Sequence, residues 1–191
     1  MEQDDSFFCA LTKTITKTID IHTLPRKNNQ KLHTSFIVAM SGTYVTEVPL
    51  KGSAKNHYKR WSENHLFPDA VGHHIQGVKV HEGDWDSHGA IKSWNYTCDG
   101  KQEVFKEKRE FDDDKMAVTF RGLEGHVMEQ LKVYDVIFQF IPKTEQGCVC
   151  KVTMMWEKRY EDSPEPINYM KFVTNMAADM DDHILKVEKK V

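Results

Sequence analysis

Residues 148–187, which read CVCKVTMMWEKRYEDSPEPINYMKFVTNMAADMDDHILKV, decide the fold because the period of the apolar residues changes within them. Up to Tyr160 apolar and polar residues alternate, and a period of two predicts a half-buried strand. Beyond Pro164 the apolar residues recur every three or four positions. This spacing predicts a helix of about 36 Å, capped by Ser163 and long enough to cross a whole sheet. Its apolar stripe consists of Tyr169, Val173, Met176, Met180, Ile184 and Val187.

Six upstream segments alternate in the same way and are bounded by turn residues, so we expect six more strands. They cover residues 44–50, 75–81, 90–98, 103–111, 115–123 and 129–141. After the first of them, Ser53 is a suitable N-cap for a helix that reaches Trp61, and Pro68 interrupts a second helical segment. Asp99-Gly100 is a strong signal for a hairpin turn, and hairpins join antiparallel strands. The order predicts an α+β domain with an antiparallel sheet and a long C-terminal helix.

Composition and charge exclude several classes of function. The 191 residues are 39% hydrophobic and 29% charged, and the formal net charge of -3 provides no basic field for nucleic acid. We interpret the alternating run KEKRE at residues 106–110 as a solvated strand face. No apolar segment reaches the ~20 residues of a membrane helix, and no secretory signal opens the chain. These features predict a cytoplasmic protein that contacts neither membrane nor nucleic acid, and no motif indicates a cofactor.

The first 39 residues differ from the rest of the chain. They are rich in Thr, Lys and Asn, and residues 25–31 (PRKNNQK) show no apolar period. Few apolar side chains are present to offset the entropy lost on ordering, so we expect residues 1–39 to be a disordered extension. The folded domain then comprises residues 40–191.

Several short motifs, in one order along the chain, resemble a known plant family. They are HEGDW at 81–85, GAIKSWNY at 89–96, DGK at 99–101, LEG at 123–125, PK at 142–143, WEK at 156–158 and EDSP at 161–164. Together they are similar to the signatures of the major latex proteins, which belong to the Bet v I (birch pollen allergen) superfamily. The resemblance runs from about Met40 to about Val187.

The resemblance implies the helix-grip (Bet v I or START-like) fold, a seven-stranded antiparallel sheet and two short helices around a cavity under the long C-terminal helix. It also implies that the chain binds or carries an apolar small molecule, such as a sterol, a hormone or a secondary metabolite, in connection with plant defence or stress. Two alternatives stay open. One is an enzyme of secondary metabolism, of the isomerase or condensation type, as some distant relatives are. The other is a regulator whose ligand controls contact with a partner protein.

Strand alternation and the helical stripe together predict which side chains face the cavity. The predicted ligand-binding residues are Trp94, Tyr96, Val118, Phe120, Tyr134, Val136, Phe138, Phe140, Cys150, Val152, Met154, Trp156, Phe172, Met176 and Met180. Taken singly, each of them is better explained as an ordinary core residue. As a set they indicate a cavity, because the polar groups of Trp94, Tyr96, Tyr134 and Trp156 find partners more easily beside a ligand or water than in a sealed core.

The sequence shows no catalytic or metal-binding pattern. His73, His74, His81 and His88 match no metal-ligand spacing, so we interpret them as solvated loop residues. No spacing links a nucleophile to a base, and no catalytic residue is assigned. His183, at the edge of the helical stripe, fits a polar cavity residue as well as a packing residue.

Removal of the extension tests the predicted domain boundary. A protein that begins at Met40 should melt within ~2 °C of the full chain, because the removed residues contribute few buried contacts. Thermal denaturation followed by circular dichroism measures this difference. A much larger drop in melting temperature would show that the extension packs on the domain.

Overall fold

The computed structural model describes residues 39–143 and 147–189, so the predicted extension lies, but for its last residue, outside the described residues. The seven predicted strands and the long C-terminal helix are all present. The strands are β1 (Ser41–Leu50), β2 (Ile75–Glu82), β3 (Ile91–Cys98), β4 (Lys101–Asp112), β5 (Ala117–Gly125), β6 (Leu131–Pro142) and β7 (Cys148–Lys158). The α-helices are α1 (Ala54–Ser62), α2 (Phe67–Ala70), α3 (His126–Gln130) and α4 (Ile167–Glu188).

The seven strands form one antiparallel sheet in the order β1-β7-β6-β5-β4-β3-β2. Only β1 is out of sequence order, because it pairs with β7, the last strand. The turn between β3 and β4 has the predicted form. Asp99 and Gly100 have φ values of 48° and 74°, as a type I′ turn requires, and Cys98 pairs with Lys101. The predicted α+β class with a seven-stranded antiparallel sheet is therefore confirmed.

Helix α4 packs across one face of the sheet and buries most of its predicted stripe. Met176, Met180 and Ile184 are at most 5% exposed, and complete burial of such a side chain stabilises a fold by about 1.5–3 kcal/mol. Val187 is 37% exposed, so the buried stripe ends earlier than predicted. Among the described helices, none is long and apolar enough to cross a membrane.

The start of α4 differs from the prediction. The helix begins at Ile167, after Pro166, and Ser163 is not its N-cap. Ser163 is buried instead, and its Oγ accepts a hydrogen bond from the backbone N–H of Tyr160 at 3.2 Å. The physical reason is Pro166, whose ring disfavours the helical conformation at Glu165 and so delays the helix.

The starts of helices α1 and α3 are each set by the residue that precedes the helix. Ser53 caps α1 as predicted, because its Oγ accepts from the backbone N–H of Asn56 at 3.2 Å. The one-turn helix α3 was not predicted, since the sequence pattern assigned its end to a strand. It follows Gly125, where only glycine fits. The φ of Gly125 is 114°, and a Cβ added to this residue would lie 2.1 Å from the carbonyl oxygen of Val104.

A buried carboxylate joins α4 to the corner between β1 and α1. Asp181 accepts hydrogen bonds from the backbone N–H groups of Lys51 at 2.9 Å and Gly52 at 2.8 Å, and it lies 2.9 Å from His57 Nε2. Burial alone would raise the pKa of Asp181, but these partners more than offset it and hold the pKa below its ordinary value. The charged carboxylate therefore fixes the C-terminal half of α4 against the rest of the domain.

Replacement of this carboxylate should weaken the fold. Asp181→Asn leaves fewer acceptors for three donors, so we expect the free energy of unfolding at pH 7 to fall by about 1–3 kcal/mol. Because the folded-state pKa lies below the unfolded value, the stabilisation is present above about pH 4 and is lost as the pH falls further. Urea denaturation at pH 7 and pH 3 should show a difference from the native protein that shrinks in acid. The exposed neighbour change Asp182→Asn is the control and should have little effect at either pH.

Candidate ligand-binding cavity

A cavity of about 60 Å³ lies between the sheet and the N-terminal half of α4. Its wall is almost wholly apolar and aromatic. The lining residues are Phe67, Ile75, Trp94, Tyr96, Phe105, Phe120, Tyr134, Val136, Phe138, Tyr169, Phe172, Val173 and Met176. The sheet supplies the floor through β2 to β6, α2 supplies one side through Phe67, and α4 supplies the roof.

The cavity brings together eight of the fifteen residues predicted from the sequence. These are Trp94, Tyr96, Phe120, Tyr134, Val136, Phe138, Phe172 and Met176. Tyr169 and Val173 belong to the predicted apolar stripe of the helix, but they were not included among the predicted ligand-binding residues. Phe105 was missed because most residues of its strand, β4, are charged. The alternation of residues along β4 was the signal that could have placed Phe105 on the inner face of the sheet. Phe67 and Ile75 carry no sequence signal, since their position depends on how α2 folds back over the sheet.

The other seven predicted residues do not line this cavity, and their part in ligand binding stays a prediction. They are Val118, Phe140, Cys150, Val152, Met154, Trp156 and Met180, and all are buried in the packed core. Near Phe140 the space under the sheet is filled by helix α1. Trp61 lies 4.1 Å from Phe138 between ring centroids, and His57 stacks on Phe140 at 5.4 Å. Strand alternation identifies the inner face of the sheet but not the part of it that α1 covers.

The polar groups of the cavity gather at one end. Tyr96 and Tyr169 donate their hydroxyl groups to the same carboxylate oxygen of Glu103, at 2.5 Å and 2.8 Å. We call these three residues the Glu103 clamp. Tyr134 lies beside them, with its ring centroid 5.7 Å from that of Tyr169. Within residues 39–143 and 147–189 no hydrogen bond engages the Tyr134 hydroxyl, and burial raises its pKa well above the ordinary value, so it stays a neutral donor.

A cleft of about 230 Å³ lies on the other side of the Glu103 clamp. Its walls come from the β3–β4 turn, from α3 and from the start of α4, and include Glu103, His126 and Glu165. Tyr169 lines both the cleft and the cavity, so the two spaces are separated by little more than the clamp. The clamp therefore lies between the cavity and the cleft.

Only one side of the run at residues 106–110 is the solvated face that its charge pattern suggested. Glu107 and Arg109 are fully buried and form an ion pair at 3.1 Å, while Lys108 between them is exposed. Each buried charge has a further partner, since Trp94 Nε1 donates to Glu107 at 3.1 Å and Arg109 donates to the backbone carbonyl of Trp61 at 3.2 Å. Pairing and hydrogen bonding offset the cost of removing these two charges from water, which an alternating surface pattern does not reveal.

This buried pair stands directly behind the aromatic wall of the cavity. The guanidinium of Arg109 lies 3.8 Å from the centroid of Phe120 and 5.4 Å from that of Trp94, and both rings line the cavity. Burial lowers the pKa of Arg109 and the nearby Glu107 offsets this only in part, but an arginine guanidinium keeps its charge in proteins. Lys92, also buried, donates to the carbonyl of Trp85, and burial lowers its pKa to about 8. The group of charges fixes two aromatic walls in place.

Comparisons with known proteins agree with the fold. Residues 39–187 match the Pathogenesis-related protein Bet v 1 family. MLP-like protein 328 of Arabidopsis thaliana is 77% identical over 150 residues, which cover 78% of this chain and 99% of the relative.

Solved structures show the same architecture. The crystal structure of ginseng major latex-like protein 151 from Panax ginseng superimposes with a TM-score of 0.72 at 25% identity, covering 76% of this chain and 98% of the other. Norcoclaurine synthase from Thalictrum flavum shares the fold alone. It superimposes with a TM-score of 0.63 at 18% identity, covering 91% of this chain and all of the other. The chain therefore belongs to the Bet v 1 family, and within it to the MLP-like proteins.

Proposed function

We propose that this protein binds and carries an apolar small molecule that bears one polar group, with its apolar body under α4 and its polar group among the tyrosines. The observation that carries the proposal is the uneven distribution of polarity, since an apolar cavity has all its hydroxyl groups at one end. Ligand sites of this kind obtain affinity from apolar burial and orientation from a few placed polar groups.

Tyr134 supplies the orienting contact. Its hydroxyl is neutral, almost completely buried and beside the cavity. A hydroxyl or carbonyl oxygen on the ligand would satisfy this donor, whereas a wholly apolar ligand would leave it unsatisfied. A sterol, a hydroxylated hormone or a phenolic secondary metabolite has this combination of an apolar body and one polar end.

Binding requires the cavity to open, because about 60 Å³ is well below the 300–1,000 Å³ of typical ligand sites. The side chains that close it towards solvent, Phe105, Tyr169 and Phe172, are only half-buried. If the Glu103 clamp separates, the cavity joins the neighbouring cleft of about 230 Å³. The combined space is close to the lower end of the usual range, which suits a ligand of moderate size.

Family membership supports a ligand-binding role, and we extend the proposal to a connection with plant defence or stress on the same ground. The cytoplasmic location indicated by the sequence stays a prediction. A ligand-controlled regulator shares the binding step and differs only in its partner. A pull-down that recovers a protein only in the presence of ligand would favour that alternative.

One observation favours an enzyme as a second candidate. Glu103 places a carboxylate at the polar end of the cavity, where it is bonded to two tyrosine hydroxyls and is a possible proton acceptor. The carrier and the enzyme differ in turnover. A carrier returns a bound metabolite chemically unchanged, whereas conversion that disappears in Glu103→Gln would favour catalysis.

Two matched changes on α4 test the cavity. Met176 lines it and Met180, one turn further on, lies in the packed core. Met176→Phe should fill empty space and leave stability unchanged or raise it, by no more than the ~1.4 kcal/mol that a void of this size costs. Met180→Phe should overpack the core and lower stability by about 1–3 kcal/mol.

Binding of an apolar fluorescent probe completes this test. Met176→Phe should weaken probe binding at least severalfold, because the ring takes up the space that the probe needs. Met180→Phe should bind the probe with nearly native affinity at temperatures where it is folded. Equal destabilisation by the two changes, with unaltered probe binding in Met176→Phe, would remove the cavity from the proposed function.

The Glu103 clamp should control how fast a ligand enters and leaves. Tyr169→Phe removes one hydrogen bond from the closed form, worth ~1 kcal/mol, so we expect probe exchange to accelerate about fivefold. Stopped-flow fluorescence measures this rate. Tyr58→Phe is a matched control, because it removes a tyrosine–carboxylate bond, 2.5 Å to Asp113, at a site away from the cavity. An equal acceleration in the control, or none in Tyr169→Phe, would contradict the role of the clamp.

A further inference from the structure

Two adjacent histidines and a helix carboxylate meet beside the roof of the cavity. His73 and His74 lie in the turn between α2 and β2, and Asp179 lies on α4, more than 100 positions along the chain. The Nε2 atoms of both histidines approach the same oxygen, Asp179 Oδ2, at 2.9 Å and 2.7 Å. The possible ligand atoms of the three residues all lie within 4.8 Å of one another.

The backbone holds the two imidazoles in place. The N–H of His74 donates to Val71 O at 2.8 Å, and its carbonyl accepts from the N–H of Thr97 on β3 at 2.9 Å. The side chain of Gln76 donates to the carbonyls of Gly72 at 3.1 Å and His73 at 3.3 Å. The turn is thus fixed to the sheet, and the rings, 4.1 Å apart between centroids, converge on α4.

The chemistry of the three groups suits a metal ion. Neutral imidazole nitrogen with one carboxylate oxygen is a common ligand set for divalent transition metals, whereas hard ions such as Mg²⁺ and Ca²⁺ prefer all-oxygen sites. Ligand atoms around tetrahedral Zn²⁺ lie about 3.3 Å apart, so each of the two distances from a histidine nitrogen to Asp179 Oδ2 needs to widen by only roughly half an ångström. His73 and Asp179 are exposed enough to make that adjustment.

We propose that His73, His74 and Asp179 form a binding site for a divalent transition-metal ion such as Zn²⁺, with the remaining coordination positions open to water. The ion would replace the direct contacts of the two histidines with Asp179 by three coordinate bonds. It would thereby link the α2–β2 turn to the middle of α4. The sequence spacing had led us to interpret His73 and His74 as solvated loop residues. They form one site with Asp179 because the fold brings α4 beside their turn.

The site also touches the cavity wall. The ring of His74 packs edge-on against Phe172 at 5.5 Å between centroids, and Phe172 packs on Tyr96 at 5.2 Å. A metal ion that holds His74 and α4 together would restrain Phe172, one of the side chains that must move to admit a ligand. This consequence rests on the proposed function, whereas metal binding itself does not depend on it.

Isothermal titration of the full chain with Zn²⁺, without any probe, tests the site. We expect one ion per chain with a saturable heat, and a change in the visible absorption of Co²⁺ that Zn²⁺ reverses. Loss of an outer partner of a metal ligand already weakens binding ~10–100-fold, so Asp179→Asn and the double change His73→Ala/His74→Ala should each weaken Zn²⁺ binding at least tenfold. Circular dichroism verifies that the variants fold. If the double histidine variant does not fold, the single change Asp179→Asn alone decides whether the metal site exists.

Matched controls separate this site from general binding by surface histidines. His81→Ala/His88→Ala removes two histidines elsewhere, and Asp182→Asn removes an exposed carboxylate from the same helix. Both should keep native Zn²⁺ affinity. Native affinity in Asp179→Asn, or an equal loss in the control variants, would overturn the proposal. If Zn²⁺ binds as expected but leaves the rate of probe release unchanged, the metal site stands and only its link to the cavity fails.

Discussion

The hydrogen bonding of Asp181 fixes where α4 lies, and the cavity depends on that position. The carboxylate is anchored by two backbone N–H groups and by His57, all in the interior or at its edge. The N-terminal half of the helix is held by the burial of Met170, Val173 and Met176 and by the hydroxyl of Tyr169, which donates to Glu103, while Tyr44 donates to Glu165 just before the helix. If this half of the helix lifts to admit a ligand, it gives up part of that apolar burial, while the contacts of Asp181 can stay in place.

Charged groups, by contrast, support the wall of the cavity opposite α4. Glu107 and Arg109 form an ion pair that solvent does not reach, and Arg109 lies against the face of Phe120. An apolar pair of similar volume would often make the fold equally stable. We therefore attribute the role of the charges to the positioning of neighbouring side chains. They hold two aromatic rings at set angles in a cavity that would otherwise be free to repack.

Sequence periodicity was sufficient for the strands, the Ser53 cap, the Asp99-Gly100 turn and the inner face of the sheet, because each depends on local backbone chemistry. It failed where distant parts of the chain decide the outcome. Phe140 is inward-facing as expected, but His57 and Trp61 of α1 cover it, and no local pattern records how far a neighbouring helix reaches. Likewise, the charge pattern of β4 concealed a buried pair. The proximity of His74 and Asp179 follows only from the tertiary structure.

The pairing of β1 with β7 has a consequence for synthesis of the protein. Ser41 lies opposite Glu157, so the first strand finds its neighbour only after most of the chain has left the ribosome. Strands β2 to β6 can assemble hairpin by hairpin as they emerge, while β1 waits without a partner. Until then the free edge of β6 is available to other nascent chains. Translational pausing after β6 should therefore increase aggregation more than pausing at earlier positions.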